Sequence, residues 1–200
     1  MRLILAALIL MVSTNVFAQQ SRMKRPVVAP QINQLQIYPL SFELRYEKDA
    51  AENWLEQKPQ NISFAYRATA WSILFEYSQF NESSGNSTLN IERDHKEMVM
   101  WGRWHLWRHG QKNPRFSIFG AGGIGTYTEE ITTTLASDRL TESTGSKMMG
   151  GFAVGADASY QFTKSFGAIA SLEGRALMGQ DFDPNPTFGG IVRTGLFFAW

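Results

Sequence analysis

Few residues in this chain have types and spacings suited to chemistry. Gly120-Ala121-Gly122-Gly123-Ile124-Gly125 matches G-x-G-x-x-G. A nucleotide site built on that motif needs a helix to follow, its N-terminus at the pyrophosphate. Here Thr126-Tyr127-Thr128 and then Ile131-Thr132-Thr133-Thr134 follow, which is strand-like. The glycines therefore read as places where a strand bends or a neighbour comes close. His105 and His109 lie four apart. On a strand both fall on one face, too far apart for easy shared ligation. No Cys and no third clustered ligand accompanies them, so no metal is expected. An acyl hydrolase needs a Ser–His pair within hydrogen-bond reach, oriented by an acid. Asp94 and His95 are adjacent, but no G-x-S-x-G or other nucleophile setting is visible. The expectation is a protein with no enzymatic activity and no cofactor.

The charged residues carry a clearer pattern. Glu43, Arg45, Arg67, Glu76, Arg103, His105, Asp157, Glu173, Arg175 and Arg193 recur at alternate positions within segments whose other face is apolar. Acids and arginines are nearly balanced, and the set contains no Lys. Arginine is the better partner for a buried bidentate pair. If this face is enclosed, its charges must pair, because an isolated buried charge is very costly.

Strands are the elements that would position such a set. Eight segments alternate with a period of two: 37–47, 62–68, 71–80, 97–108, 115–128, 148–162, 166–178 and the last residues to Trp200. In the seventh, Ala168, Ala170, Leu172, Gly174 and Ala176 oppose Ser171, Glu173 and Arg175. The fifth is ambiguous because of its glycines; Phe116, Ile118 and Ile124 are assigned to the apolar side. Connectors alternate short and long, the long ones being 48–61, 81–96, 129–147 and 179–187. They are polar and read as surface loops.

The chain opens with Arg2, an apolar run from Leu3 to Val12, and Val16-Phe17-Ala18. This reads as a secretory signal peptide over residues 1–18. The run is too short to span a bilayer, which takes about 20 residues. Residues 19–36 show no periodicity and read as a flexible lead, with a barrel over 37–200. Removing Arg2 leaves 18 basic against 18 acidic residues, so no electrostatic case for nucleic acid remains. There is no cysteine to staple an exported chain.

Alternation does not say which face is inside. A soluble barrel encloses its apolar face and a membrane barrel exposes it. Two further cues favour the membrane. Trp71, Trp104, Phe116, Phe162, Phe166 and Trp200 would gather at one end, with Tyr46, Tyr77 and Tyr127 at the other, as two girdles. The chain also stops flush on Phe198-Ala199-Trp200. In pattern, strand count and this last tripeptide, residues 37–200 resemble the small eight-stranded outer-membrane barrels of the OmpA/OmpX/OmpW type.

The resemblance implies an all-β, antiparallel, up-and-down transmembrane barrel in the bacterial outer membrane, both termini periplasmic. It implies outer-membrane lipids and lipopolysaccharide as surroundings. It also implies barrel-insertion machinery reading Phe198 and Trp200. The role expected is structural, or recognition through outer loops of an unknown ligand. A narrow channel or carrier for small solutes is the first alternative, a lipid-modifying enzyme the second.

Overall fold

The computed structural model describes residues 33–48, 54–57, 59–85, 89–109, 114–135, 138–180, 182 and 184–200. The expected signal peptide and nearly all of the expected lead lie outside the described residues. Among the described residues nine strands follow in order: β1 (Gln34–Lys48), β2 (Trp54–Gln57), β3 (Gln60–Arg67), β4 (Trp71–Gly85), β5 (Leu89–His109), β6 (Arg115–Leu135), β7 (Asp138–Thr163), β8 (Phe166–Gly179) and β9 (Thr187–Ala199). Every pairing is antiparallel. From β3 to β9 each strand pairs with the next, and β1 pairs with both β3 and β9. That closes an eight-stave barrel, and closure removes the exposed sheet edges. The short β2 pairs only with the end of β1, from Arg45 to Lys48.

The period of two is visible in burial. Leu40, Phe42, Leu106, Val154 and Leu172 point outward, 59–74% exposed. Arg45, Arg103, Glu173 and Arg193 point inward, at most 1% exposed. An apolar belt of this extent suits lipid and not water. The apolar face is therefore outside, as expected, and strand β6 follows suit, with Phe116, Ile118 and Ile124 exposed. Pro39 lies between the paired residues of a register break in β1, where a missing N–H is tolerated.

One end of the barrel has tight connections, Ala68–Ala70 and Lys164-Ser165, and also Asn33 and Trp200. We call it the turn end, and the opposite one the hairpin end. Trp71, Trp104, Phe116, Phe162 and Trp200 are exposed there, with Phe166 half-buried. Their rings meet: Tyr66 with Trp71 at 5.8 Å and with Trp200 at 6.3 Å, Phe166 with Phe162 at 5.8 Å and with Phe198 at 5.2 Å.

Two expectations need correction. The segments 81–96 and 129–147 are mostly strand, not loop: β4 runs to Gly85, β5 begins at Leu89, β6 runs to Leu135 and β7 begins at Asp138. Both faces of these stretches are polar, so they carry no apolar alternation. Backbone pairing continues regardless, and Thr and Ile suit it. Tyr127 does not join a girdle. It points inward, 1% exposed, and stacks on His95 at 5.4 Å.

The G-x-G-x-x-G run serves packing. Trp101 is fully buried in the lumen. A Cβ on Gly123 would lie 2.5 Å from the Trp101 ring, and one on Gly151 3.1 Å from it. Gly122, on the outer face, has nothing within 4 Å of such an atom. Gly123→Ala should therefore cost about 1–3 kcal/mol by overpacking, with Gly122→Ala near neutral. Denaturant unfolding of both variants in the same lipid checks the contrast.

Candidate functional site: the charged lumen

Because Cβ direction alternates, Glu43 and Arg45 of β1 both enter the lumen, as do Glu173 and Arg175 of β8. Glu76 of β4, Arg103 of β5 and Arg193 of β9 point into the same lumen. Together they form one alternating chain of acids and arginines. Arg45 donates to both Glu97 oxygens, Nη1 at 2.5 Å and Nη2 at 2.6 Å, a bidentate pair. Its Nε donates to Glu43 at 2.6 Å. Glu43 also faces Arg175 Nε at 3.2 Å. Arg175 Nη1 donates to Glu76 at 2.7 Å. Glu76 accepts from Arg193 as well. Arg193 and Arg103 then share Glu173 Oε2, at 3.0 and 2.7 Å. Asn61 donates to Glu43, and Ser78 to Glu97 at 2.9 Å. The chain runs as Glu97–Arg45–Glu43–Arg175–Glu76–Arg193–Glu173–Arg103, with opposite charges at every step.

Aromatic groups lie around it. The Arg103 guanidinium sits 4.6 Å from the Phe119 ring centroid, and that of Arg175 5.7 Å from Trp101. Arginine stacks on aromatic faces while its edge still makes ion pairs. Toward the hairpin end, His95 lies between Phe80 at 4.7 Å and Tyr127 at 5.4 Å, and its Nε2 is 2.9 Å from Glu97.

The remaining expected residues form a second group toward the turn end. Asp157 Oδ2 lies 3.4 Å from Arg67 Nη1 and 3.8 Å from His105 Nδ1. His105 Nε2 is 3.1 Å from the Ser72 hydroxyl. Ser117 Oγ stands 3.4 Å from both His105 Nδ1 and Asp157 Oδ2. All of the expected inward residues thus face the lumen, in two groups, and Arg67 is the least buried.

The sequence reading missed Glu97 and His95 as lumen groups. A signal was there: stepping back by two from Arg103 through Trp101 and Val99 reaches Glu97, His95 and Arg93. It was lost because that stretch read as the edge of a loop. Asp94 and His95, noted as neighbours, face opposite sides. Asp94 is held by Lys96 at 2.6 Å, whereas His95 is enclosed. The side chain of His109 lies outside the described residues. Among the described residues no group of three His, Cys, Asp or Glu is placed to hold a metal.

A closed barrel, apolar outside and charged within, is a transmembrane β-barrel. Its architecture is that of the small eight-stranded outer-membrane barrels. The chain is similar in fold to Ail, the attachment invasion locus protein of Yersinia pestis, crystallised in complex with the heparin analogue sucrose octasulfate. That comparison covers 86% of this chain and 100% of the other at 13% identity, with a TM-score of 0.50. Neisserial surface protein A aligns over 86% of this chain and 98% of its own at 11% identity, TM-score 0.48. OprG from Pseudomonas aeruginosa aligns over 85% and 93% at 11% identity, TM-score 0.38. No protein-family model and no curated protein matches the sequence.

Proposed function

We propose that this is an integral outer-membrane protein whose lumen is closed by its own side chains and whose hairpin end faces outward to bind a ligand at the cell surface. The observation that carries the reading is the unbroken chain of ion pairs from Glu97 to Arg103. Eight strands enclose an interior that side chains can just fill. In this reading the large paired groups on five strands fill that interior and close it to solutes. The paired staves hold the projecting hairpins on a rigid base. β7 pairs with β8 only from Met149 onward, so its stretch from Asp138 to Met148 reaches roughly 35 Å further along the strand. An open polar cleft of about 320 Å³ lies on these hairpins, lined in part by Glu82, Glu92, Arg93, Asp94, Glu130 and Arg139.

Single-channel recording of the purified protein in planar bilayers tests the closed lumen. No sustained conductance is the expected result. A steady large conductance would overturn the reading in favour of a narrow channel or carrier. In the same cells, an epitope inserted after Gly85 should be labelled from outside and one after Lys164 should not. The reverse pattern would invert the barrel.

The last aromatics fit the same reading. Phe198 and Trp200 point outward at the turn end, 46% and 69% exposed. In this reading they are the surface offered to the insertion machinery before closure. Deleting Trp200 should lower the amount of folded barrel in the membrane, read by the heat-dependent gel mobility of the folded form.

A further inference from the structure

We propose that Ser72, His105 and Asp157 form a nucleophilic site at the turn end of the lumen, one that takes small acyl esters. The residues come from β4, β5 and β7, so no linear motif announces them. Ser72 is the second residue of β4, one step from the rim. Its Oγ is 3.1 Å from His105 Nε2, within reach for proton transfer. On the other side of the ring, Asp157 Oδ2 is 3.8 Å from Nδ1, and the Ser117 hydroxyl lies 3.4 Å from both. In the tautomer that carries its proton on Nδ1, the ring donates to the Ser117 hydroxyl, which donates in turn to Asp157, and the Nε2 lone pair faces Ser72. Phe119 packs edge-on against the imidazole at 5.8 Å and limits its rotation.

Arg67 completes the site. Its guanidinium is 3.4 Å from Asp157 and 3.2 Å from Ser117, which positions both. The other members are at most 6% exposed, whereas the Arg67 side chain is 13% exposed. In this proposal a substrate enters from the turn end past Arg67, the member nearest solvent, and the burial of the others suits only small substrates.

In the reaction the Ser72 O–H bond breaks and its proton moves to His105 Nε2 as Oγ bonds to the acyl carbon. The ester C–O bond then breaks, and the alcohol leaves with the proton from Nε2. Water repeats the sequence: it gives a proton to Nε2, its oxygen bonds to the acyl carbon, and the acid departs as Ser72 recovers its hydrogen.

The test uses the full-length protein folded in detergent micelles, with diisopropyl fluorophosphate as probe. Attack by Ser72 Oγ on phosphorus expels fluoride and leaves a stable adduct, located by peptide mass mapping. The expected result is a single adduct on Ser72. It should be absent in Ser72→Ala and unchanged in Ser78→Ala, whose hydroxyl serves Glu97 in the other group. His105→Gln should slow labelling by about a hundredfold or more. Asp157→Asn gives the second reading where His105→Gln does not fold, with gel mobility certifying each variant. Hydrolysis of 4-nitrophenyl acetate should fall in Ser72→Ala. No adduct on Ser72 of the folded wild type, adducts spread over several serines, or equal labelling in His105→Gln and Asp157→Asn would overturn the proposal. Each outcome is independent of whether the barrel conducts ions.

Discussion

Glu76→Ala should lower the unfolding free energy by about 3–5 kcal/mol, the usual cost of removing one partner of a buried ion pair. Glu76 stands near the middle of the alternating chain and accepts from Arg175 and Arg193. Its removal leaves two guanidinium groups, both at most 3% exposed, short of counter-charge. Glu173 still faces Arg193 and Glu43 still faces Arg175, so the loss falls on the centre of the chain rather than on all of it. Glu130→Ala is the matching surface change. Glu130 is exposed on the projecting part of β6, and its loss should stay within about 0.5 kcal/mol. Urea unfolding of both variants in the same lipid decides the matter. Equal stability would show that water, not carboxylate, satisfies the arginines and that the lumen is wet.

Leu172→Arg should cost about 2–4 kcal/mol. Leu172 lies midway along β8, 62% exposed on the outer face, between Ala156 and Val192 on the neighbouring strands. In lipid that exposure means contact with acyl chains. An arginine at this depth has far to reach before its charge meets a headgroup. Ser171, the next residue, is 2% exposed and faces the lumen. Ser171→Arg would meet Arg193 and Asp157 on the adjacent strands and would also overpack, so it is the less informative partner. Unchanged unfolding of Leu172→Arg in lipid would mean that the apolar belt does not face the membrane. The measurement in detergent alone is less decisive, because a micelle deforms around a charge more easily than a bilayer does.

Much of the architecture was legible because a strand has so simple a period. In β8 the alternation of Ala170 and Leu172 with Ser171, Glu173 and Arg175 assigns both faces without any tertiary knowledge. The same period extended β5 inward as far as His95, had it been followed past Glu97. Where glycine replaces side chains the signal fades: β6 carries Gly120, Gly122, Gly123 and Gly125, and Tyr127 beyond them was placed on the wrong face. Where both faces are polar it vanishes, which is why the strands reaching Gly85 and Leu135 read as loops.

The sequence by itself determined which residues share a face, that one face is apolar and the other charged, and that the chain makes eight such staves. These follow from local geometry, since Cβ atoms alternate whatever the strand pairs with. Only the tertiary structure decided which face is enclosed and who meets whom inside. Glu76 meets Arg193 across 117 positions and Arg175 across 99, and Ser72 meets His105 across 33. Such meetings depend on barrel closure and on the register of every intervening strand. Each bulge in β1, β5 or β7 shifts that register by a residue, and no local period encodes the sum.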